Sequence, residues 1–144
     1  MSFDLLPGAI KLLRKRLPLE VARKTNRVAD VIHESVIDGT PVDTSKAISN
    51  WQLGVGHGPA SYIQPHVPGE GGSSEEASKR VSLGKGRAKV KGRKVGTAIH
   101  IVNNAPYIDD LDSGKKQASK PSGFVDRSLL EGKLQIKRTV LKPL

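Results

Sequence analysis

An apolar stripe in the first third of the chain constrains the fold more than any other feature of the sequence. Ala22, Ala29 and Val36 recur every seven residues, so they lie on one face of a helix with a period of 3.6 residues. Gly39 follows where a C-terminal cap belongs, and Pro41 prevents the helix from continuing. These signals predict a helix of about 20 residues, roughly 30 Å long, whose apolar face other elements must cover.

A shorter basic segment precedes this helix. Leu6, Ile10 and Leu13 share one helical face, and Lys and Arg fill most of the remaining surface. The pattern predicts an N-terminal basic helix within residues 1–18 that ends at Pro18. Such a helix can lie on a membrane surface, but packing against its own domain or a neighbouring subunit is the favoured interpretation.

Two segments have the composition of β-strands. Trp51, Leu53 and Val55 alternate with polar or small residues, which predicts a half-buried strand with Trp51 in the core. Residues 95–102 are mostly apolar and rich in β-branched side chains, and they predict a second strand.

Three further helical segments are expected. Residues 42–50 predict a short helix or turn capped by Asp43 or Thr44. Residues 106–111 predict a single helical turn, and the spacing of apolar residues predicts a final helix over 124–140.

The middle of the chain, residues 56–94, is expected to form a flexible Gly/Pro/Lys-rich insertion or arm. Its first part, 56–72, consists largely of residues that favour loops. Ser73 and Glu76 form a capping-box pattern for a short helix that ends near residue 83. Residues 79–94 contain eight basic residues and no acidic one.

Three interpretations of this basic arm stay open. It orders against an acidic partner protein, it remains a solvated loop, or it follows the phosphate backbone of DNA. No aromatic residue is interleaved with the charges, so stacking on single-stranded bases is not expected. The residues concerned are Lys85, Arg87, Lys89, Lys91, Arg93 and Lys94.

The sequence carries no recognisable catalytic or cofactor-binding pattern, and we expect no enzyme and no cofactor. The chain has no cysteine, and its four histidines lack metal-ligand spacing. Neither glycine-rich stretch matches a phosphate-binding loop. No apolar run reaches the roughly 20 residues of a membrane span. The net charge of +10 instead indicates an anionic partner.

Two stretches in order resemble a known family. The first runs Thr-Pro-Val-Asp-Thr-Ser over residues 40–45 and is followed by Trp51. The second begins with Asn-Asn-Ala-Pro-Tyr at 103–107 and continues to residue 123. The positions concerned are Thr40, Pro41, Val42, Asp43, Thr44, Trp51, Asn103, Asn104, Ala105, Pro106, Tyr107, Leu111, Gly114, Gln117, Pro121 and Gly123.

This pattern resembles the tail-component and neck proteins of tailed bacteriophages, including the minor tail protein that completes the head-facing end of the tail. That family usually has glycine where Ser45 stands here. It also usually has proline directly after the glutamine-alanine pair, whereas Ser119 and Lys120 intervene here. The matching segments cover residues 19–55 and 95–130.

The resemblance implies an α+β single domain over 1–144, with a small, mainly antiparallel sheet packed against a long N-terminal helix and a C-terminal helix. It implies a non-enzymatic virion protein made in the host bacterial cytoplasm. A closed ring of about six or twelve copies would sit in the neck, between head connector proteins and the tail tube or tail terminator.

Double-stranded DNA would pass through the lumen of that ring, and non-specific contact with it stays open. Together with the basic residues of the arm, Tyr107, Asp109 and Asp112 are the candidates for subunit, partner or DNA-channel contacts. For Tyr107, core packing and an intersubunit contact are both open. The alternative function is that of a small basic protein that binds nucleic acid without sequence preference.

Overall fold

The computed structural model describes residues 6–138, with α1 (Leu6–Gly39), α2 (Lys46–Ser49), β1 (Trp51–Val55), α3 (Glu75–Lys91), β2 (Ile99–Asn103), α4 (Ile108–Asp112) and α5 (Phe124–Arg138). The expected α+β class is confirmed, with a long N-terminal helix, a C-terminal helix and a small antiparallel sheet. The first five residues of the expected basic helix and the expected end of the last helix at Val140 lie outside the described residues.

The prediction that Pro18 ends the first helix is wrong, because α1 is a single helix of 34 residues with Pro18 inside it. Proline removes one helical hydrogen bond, here to the carbonyl of Arg14. Pro18 is exposed, so water can satisfy that carbonyl. The flanking sequence is rich in Leu, Lys and Arg, which favour helix. The two expected helices are therefore one, about 50 Å long.

The sheet consists of β1 and β2 alone within the described residues, paired antiparallel from Trp51 opposite Asn103 to Val55 opposite Ile99. The first predicted strand is confirmed. The second begins later than predicted because the chain turns first: the Thr97 amide donates to the Lys94 carbonyl at 3.1 Å, and Gly96 has a φ of 85°.

The core lies where the C-terminal half of α1 meets α2, β1, α3 and α5. Trp51 is buried, as predicted. Each such apolar side chain contributes on the order of 1.5–3 kcal/mol by leaving water. The members of the cluster are Val36, Ile37, Ile48, Trp51, Leu83 and Phe124.

Helix α5 packs antiparallel on α1 through close backbone approaches. A Cβ atom at Gly39 would lie 2.6 Å from Phe124 Cβ, and one at Gly132 would lie 2.5 Å from Ile32 Cδ1. α1 ends at Gly39 as predicted, but Gly39 is not among the residues with positive φ. This glycine therefore serves the contact with α5.

The short helix predicted to end near residue 83 is longer than expected, because α3 runs from Glu75 to Lys91; the prediction of a flexible arm is therefore wrong for residues 84–91. The buried residues of α3 include Ser78, Ser82 and Gly86, spaced by four. A search for large apolar residues misses a face made of such small ones. Residues 56–74 carry no helix or strand, in keeping with the expected central loop.

The predicted helix caps are also wrong. α2 follows Ser45, and Asp43 and Thr44 lie outside it. The Ser73–Glu76 capping box does not form, since the residue before α3 is Ser74 and makes no side-chain cap. The Ser73 hydroxyl instead accepts the Glu70 amide at 3.3 Å. Short local turns thus outcompete the expected caps.

Candidate subunit-interface surfaces

The two stretches that carry the resemblance converge on one groove of about 480 Å³. One wall is the turn before α2, and the other comprises α4 and the loop that follows it. The lining residues are Pro41, Val42, Asp43, Thr44, Ser45, Lys46, Ala47, Tyr107, Leu111, Lys116, Gln117, Ala118 and Ser119. Segments about 60 residues apart in the sequence thus form one surface feature.

The first wall of the groove is fixed by Thr40 and Ser45. The buried Thr40 hydroxyl donates to the Val36 carbonyl at 2.6 Å and accepts the Trp51 indole N–H at 2.8 Å. Ser45 is the one non-glycine residue with positive φ (64°) among the described residues. That left-handed conformation favours glycine. The buried Ser45 hydroxyl is hydrogen-bonded to that of Ser74 at 2.8 Å.

Asp43 ties the central loop to this wall. Its carboxylate accepts the Gly71 amide at 2.9 Å, and its carbonyl accepts the Gly72 amide at 2.9 Å. Both glycines have positive φ. Asp43 therefore holds a turn in place rather than capping a helix.

Asn103 and Asn104 brace the second wall at the end of β2. The Asn103 amide donates to the Ala47 carbonyl at 2.8 Å, and its oxygen accepts the amide of buried Ala105 at 2.9 Å. Asn104 donates to the carbonyls of Pro59 and Ser61 at 3.0 and 3.1 Å. Both asparagines are structural.

Tyr107 lies in the groove, half-buried, between exposed Pro106 and the start of α4. Burial, reinforced by the neighbouring Tyr62 phenol, raises the pKa of its phenol. The ammonium of Lys116 lies 5.8 Å from the ring centroid, within cation–π range. Tyr107 thus keeps an accessible edge in the groove, and both interpretations of its role remain open.

The acids of α4 do not act together. Asp109 is exposed. Asp112 faces the next helix: its carboxylate accepts the Val125 amide at 3.0 Å, and its carbonyl accepts the Gly123 amide at 2.7 Å. Asp112 therefore secures the start of α5, where a negative charge is favourable, and of the two predicted acids Asp109 is the one available for an intermolecular contact.

The remaining positions of the second stretch shape the loop between α4 and α5. Gly114 and Gly123 have positive φ values of 78° and 75°. Leu111 packs against the core, Gln117 is exposed in the groove, and the Pro121 carbonyl accepts Arg127 Nη2 at 3.1 Å.

The Ser119–Lys120 interruption gives this loop an anchor. Lys120 Nζ donates to the Asp38 carbonyl at 2.9 Å and pairs with the Glu75 carboxylate. The inserted lysine thus connects the end of α1 to the start of α3.

The basic residues expected to share one arm differ in their contacts: the two arginines bind α1, and the lysines are exposed. Arg87 Nε binds the Asp30 carboxylate at 2.8 Å, and this hydrogen bond raises the pKa of its guanidinium. Arg93 binds Asn26 Oδ1 at 3.0 Å, the Thr97 carbonyl at 2.8 Å and the Ala22 carbonyl at 3.2 Å. These two arginines hold α3 and the following turn against α1.

Four lysines of the predicted arm are exposed, and none of the four has an ion pair with a carboxylate among residues 6–138: Lys85, Lys89, Lys91 and Lys94. Lys91 and Lys94 lie at and beyond the end of α3. Lys85 and Lys89 are one helical turn apart and line a cleft opposite the central loop. The sequence identified these lysines but not their separation into two groups.

Sequence reasoning considered the four histidines as metal ligands and did not predict that His33 is buried. It is 1% exposed, and its Nε2–H donates to the Trp51 carbonyl at 2.8 Å. Burial lowers the pKa of its imidazole despite that hydrogen bond. His33 joins α1 to β1, and its position on the helical face that carries Ala22, Ala29 and Val36 was the available signal.

A second candidate surface is the N-terminal half of α1. Ile10, Leu13, Leu17 and Val21, hereafter the exposed stripe, are between 39% and 49% exposed. They continue the same helical face that α5 covers further along. Of the two expected partners of this segment, its own domain does not cover the stripe within the described residues, and a neighbouring subunit stays the open alternative; a continuous apolar face is exposed beside basic residues.

Other site types are not found within the described part of the chain. No group of three or more His, Asp or Glu could hold a metal ion there. Among the described helices, none combines the length and hydrophobicity needed to cross a lipid bilayer. No protein-family model, curated protein or solved structure matches the chain.

Proposed function

We propose that this chain is a structural subunit of a ring in the neck, or at the head-facing end of the tail, of a tailed bacteriophage. The observation that carries the proposal is the groove shared by residues 41–47 and 107–119. The stretches that resemble the phage family are distant in sequence, yet they line the same surface feature.

The conformation of Ser45 adds independent support. The family pattern usually has glycine at this place, and Ser45 has the left-handed φ of 64° that glycine adopts without strain. A chance match of residue types would not require a glycine-like backbone at a position where the family pattern has glycine and this chain has serine.

The exposed stripe supports assembly. Large apolar side chains in a continuous patch on a soluble surface are typical of interaction sites. We assign the stripe to contact with a second copy. Two different faces that bind head to tail close into a ring if the rotation between copies permits it. In such a ring, Tyr107 and Asp109 are candidates for contacts at the groove.

Electron microscopy of the purified particle that contains this chain tests the proposal. The expected result is ring-shaped density between connector and tail, surrounding the DNA channel, into which residues 6–138 fit. Purified virions that lack the chain, or density for it away from the neck and tail, would contradict the proposal.

The alternative, binding of nucleic acid without sequence preference, is favoured by the lysines that lack acidic partners in the described part of the chain. A salt titration distinguishes it. Binding through several phosphate contacts should weaken on the order of 10³-fold or more between 50 and 200 mM salt. Ring assembly through apolar faces should change far less over that range.

A catalytic role is not proposed. Asp112 is engaged at the start of α5, so it is not free to work beside Asp109. Any turnover that is lost when Asp109 and Asp112 are replaced by Asn would favour an enzyme instead.

A further inference from the structure

A cationic cleft lies between α3 and the central loop, with a volume of about 250 Å³. Lys85 and Lys89 from α3 line it together with His66 from the loop. Its other walls are formed by Ser49, Trp51, Gln52, Leu53, Ile63, Ser82 and Gly86, none of which is acidic.

The loop side of the cleft is held in place by buried side chains. The His66 amide donates to the Ser49 hydroxyl at 3.0 Å, and the Val67 amide donates to the Ser78 hydroxyl at 3.0 Å. Asn50 exchanges two hydrogen bonds of 2.9 Å with the backbone of Ile63. His66 is therefore positioned opposite the two lysines by the fold itself.

The charges of the cleft are not balanced within the described residues. The acids of α1 interact with the other flank of α3, where Asp30 binds Arg87 and Asp38 binds Lys79. Lys85 and Lys89 are four residues apart on one helix, an arrangement in which like charges repel. Burial and the charge of Lys85 both lower the pKa of His66.

We propose that this cleft binds a phosphate group, through Lys85, Lys89 and the imidazole of His66. Two ammonium groups donate charge-assisted hydrogen bonds that suit a compact, doubly charged oxyanion, and the His66 imidazole adds an N–H donor whose protonation the bound anion favours. The group can come from free phosphate or from a nucleic-acid backbone. All three residues belong to one copy of the chain, so this binding site does not require the ring proposed above.

The test uses the full chain and follows the His66 imidazole by NMR while inorganic phosphate is added at constant ionic strength. Saturable shifts and a rise in the pKa of His66 are expected. The K85Q/K89Q variant should lose affinity by about tenfold or more, since it lacks two charged donors. The K91Q/K94Q variant removes the same charge from exposed positions outside the cleft and should bind as the wild type does.

A second arm replaces phosphate with short duplex DNA. If the backbone is the source of the phosphate, duplex binding falls more in K85Q/K89Q than in K91Q/K94Q. If free phosphate is the source, only the inorganic ion changes the NMR signals of the His66 imidazole. Equal losses in both variants, identical shifts with acetate at the same ionic strength, or no saturable response from either ligand would overturn the proposal. None of these outcomes depends on whether the chain forms a ring.

Discussion

The two halves of α1 share one helix and one apolar face, yet their surroundings differ. Around Ile32 and Gly39 the face is covered by α5, with the contact between Gly132 and Ile32 too close for any side chain on the glycine. Around Leu13 and Leu17 the same face is open. The sequence pattern predicts that the apolar face is buried against something, but it does not indicate whether that is another part of the same chain or a second molecule.

This difference separates two kinds of contribution. The covered half supplies the stability of the folded chain, because its side chains leave water on folding. The open half can contribute only when a second molecule covers it. Substitutions in the two halves should therefore change different measurements.

The largest expected effect is at the contact between α5 and the covered half of α1. Phe124 is 1% exposed against the end of α1. Phe124→Ala should lower the free energy of unfolding by about 3–5 kcal/mol because it leaves a cavity. Leu13→Ala in the open half should change it by less than about 0.5 kcal/mol. Urea denaturation followed by circular dichroism compares the two, and similar losses would remove the distinction between the halves.

A smaller effect is expected where α3 packs against the covered half. A Cβ atom at Gly86 would lie 2.8 Å from the His33 ring, which its bond to Trp51 holds in place. Gly86→Ala should therefore lower the free energy of unfolding by about 1–3 kcal/mol. Gly84→Ala is the matched control, with nothing within 4 Å, and should raise it by about 0.5–1 kcal/mol. An increase in the free energy of unfolding in both variants would contradict the close packing of α3 on α1.

The smallest expected effect is a pH dependence that originates at His33. Burial lowers the pKa of the folded imidazole below its ordinary value of 6.5, so the unfolded chain takes up the proton first as pH falls. The free energy of unfolding should be constant above that value and should decline as pH falls from 6.5 toward the folded pKa.

Denaturation at a series of pH values checks this. His33→Gln should reduce the slope below pH 6.5, although His66, whose pKa is also lowered, contributes in the same sense. If the slope of the free energy of unfolding against pH is the same in His33→Gln as in the wild type, the pH dependence originates at other groups.

Large apolar residues at regular spacing made part of this fold predictable. The covered half of α1, the strand with Trp51 and the start of α5 at Phe124 all follow from such spacing. Only the first half of α3, to about residue 83, was predicted; its continuation to Lys91 was missed because Ser78, Ser82 and Gly86 form its buried face. Pro18 caused the opposite error: it predicted the end of a helix, whereas a solvent-exposed proline can be accommodated within a long helix.

For the candidate surfaces, the sequence identified individual residues but not how the fold groups them. The resemblance identified positions such as Asp43 and Tyr107, but the groove they share depends on how β1 and β2 pair. The separation of Lys85 and Lys89 from Arg87 depends on the helical twist of α3 and on a central loop held by Ser49. Long-range contacts of this kind leave no local periodicity in the sequence.

The most direct test of the central claim, that the open half of α1 is a subunit contact, is sedimentation velocity over a range of protein concentrations. The wild type should form a closed multi-copy species. Leu13→Glu/Leu17→Glu should remain monomeric while its free energy of unfolding stays within about 0.5 kcal/mol of the wild-type value. Lys15→Glu makes the same change in charge away from the stripe and should assemble normally. A wild type that stays monomeric at every concentration, or a double variant that assembles equally well, would contradict the account.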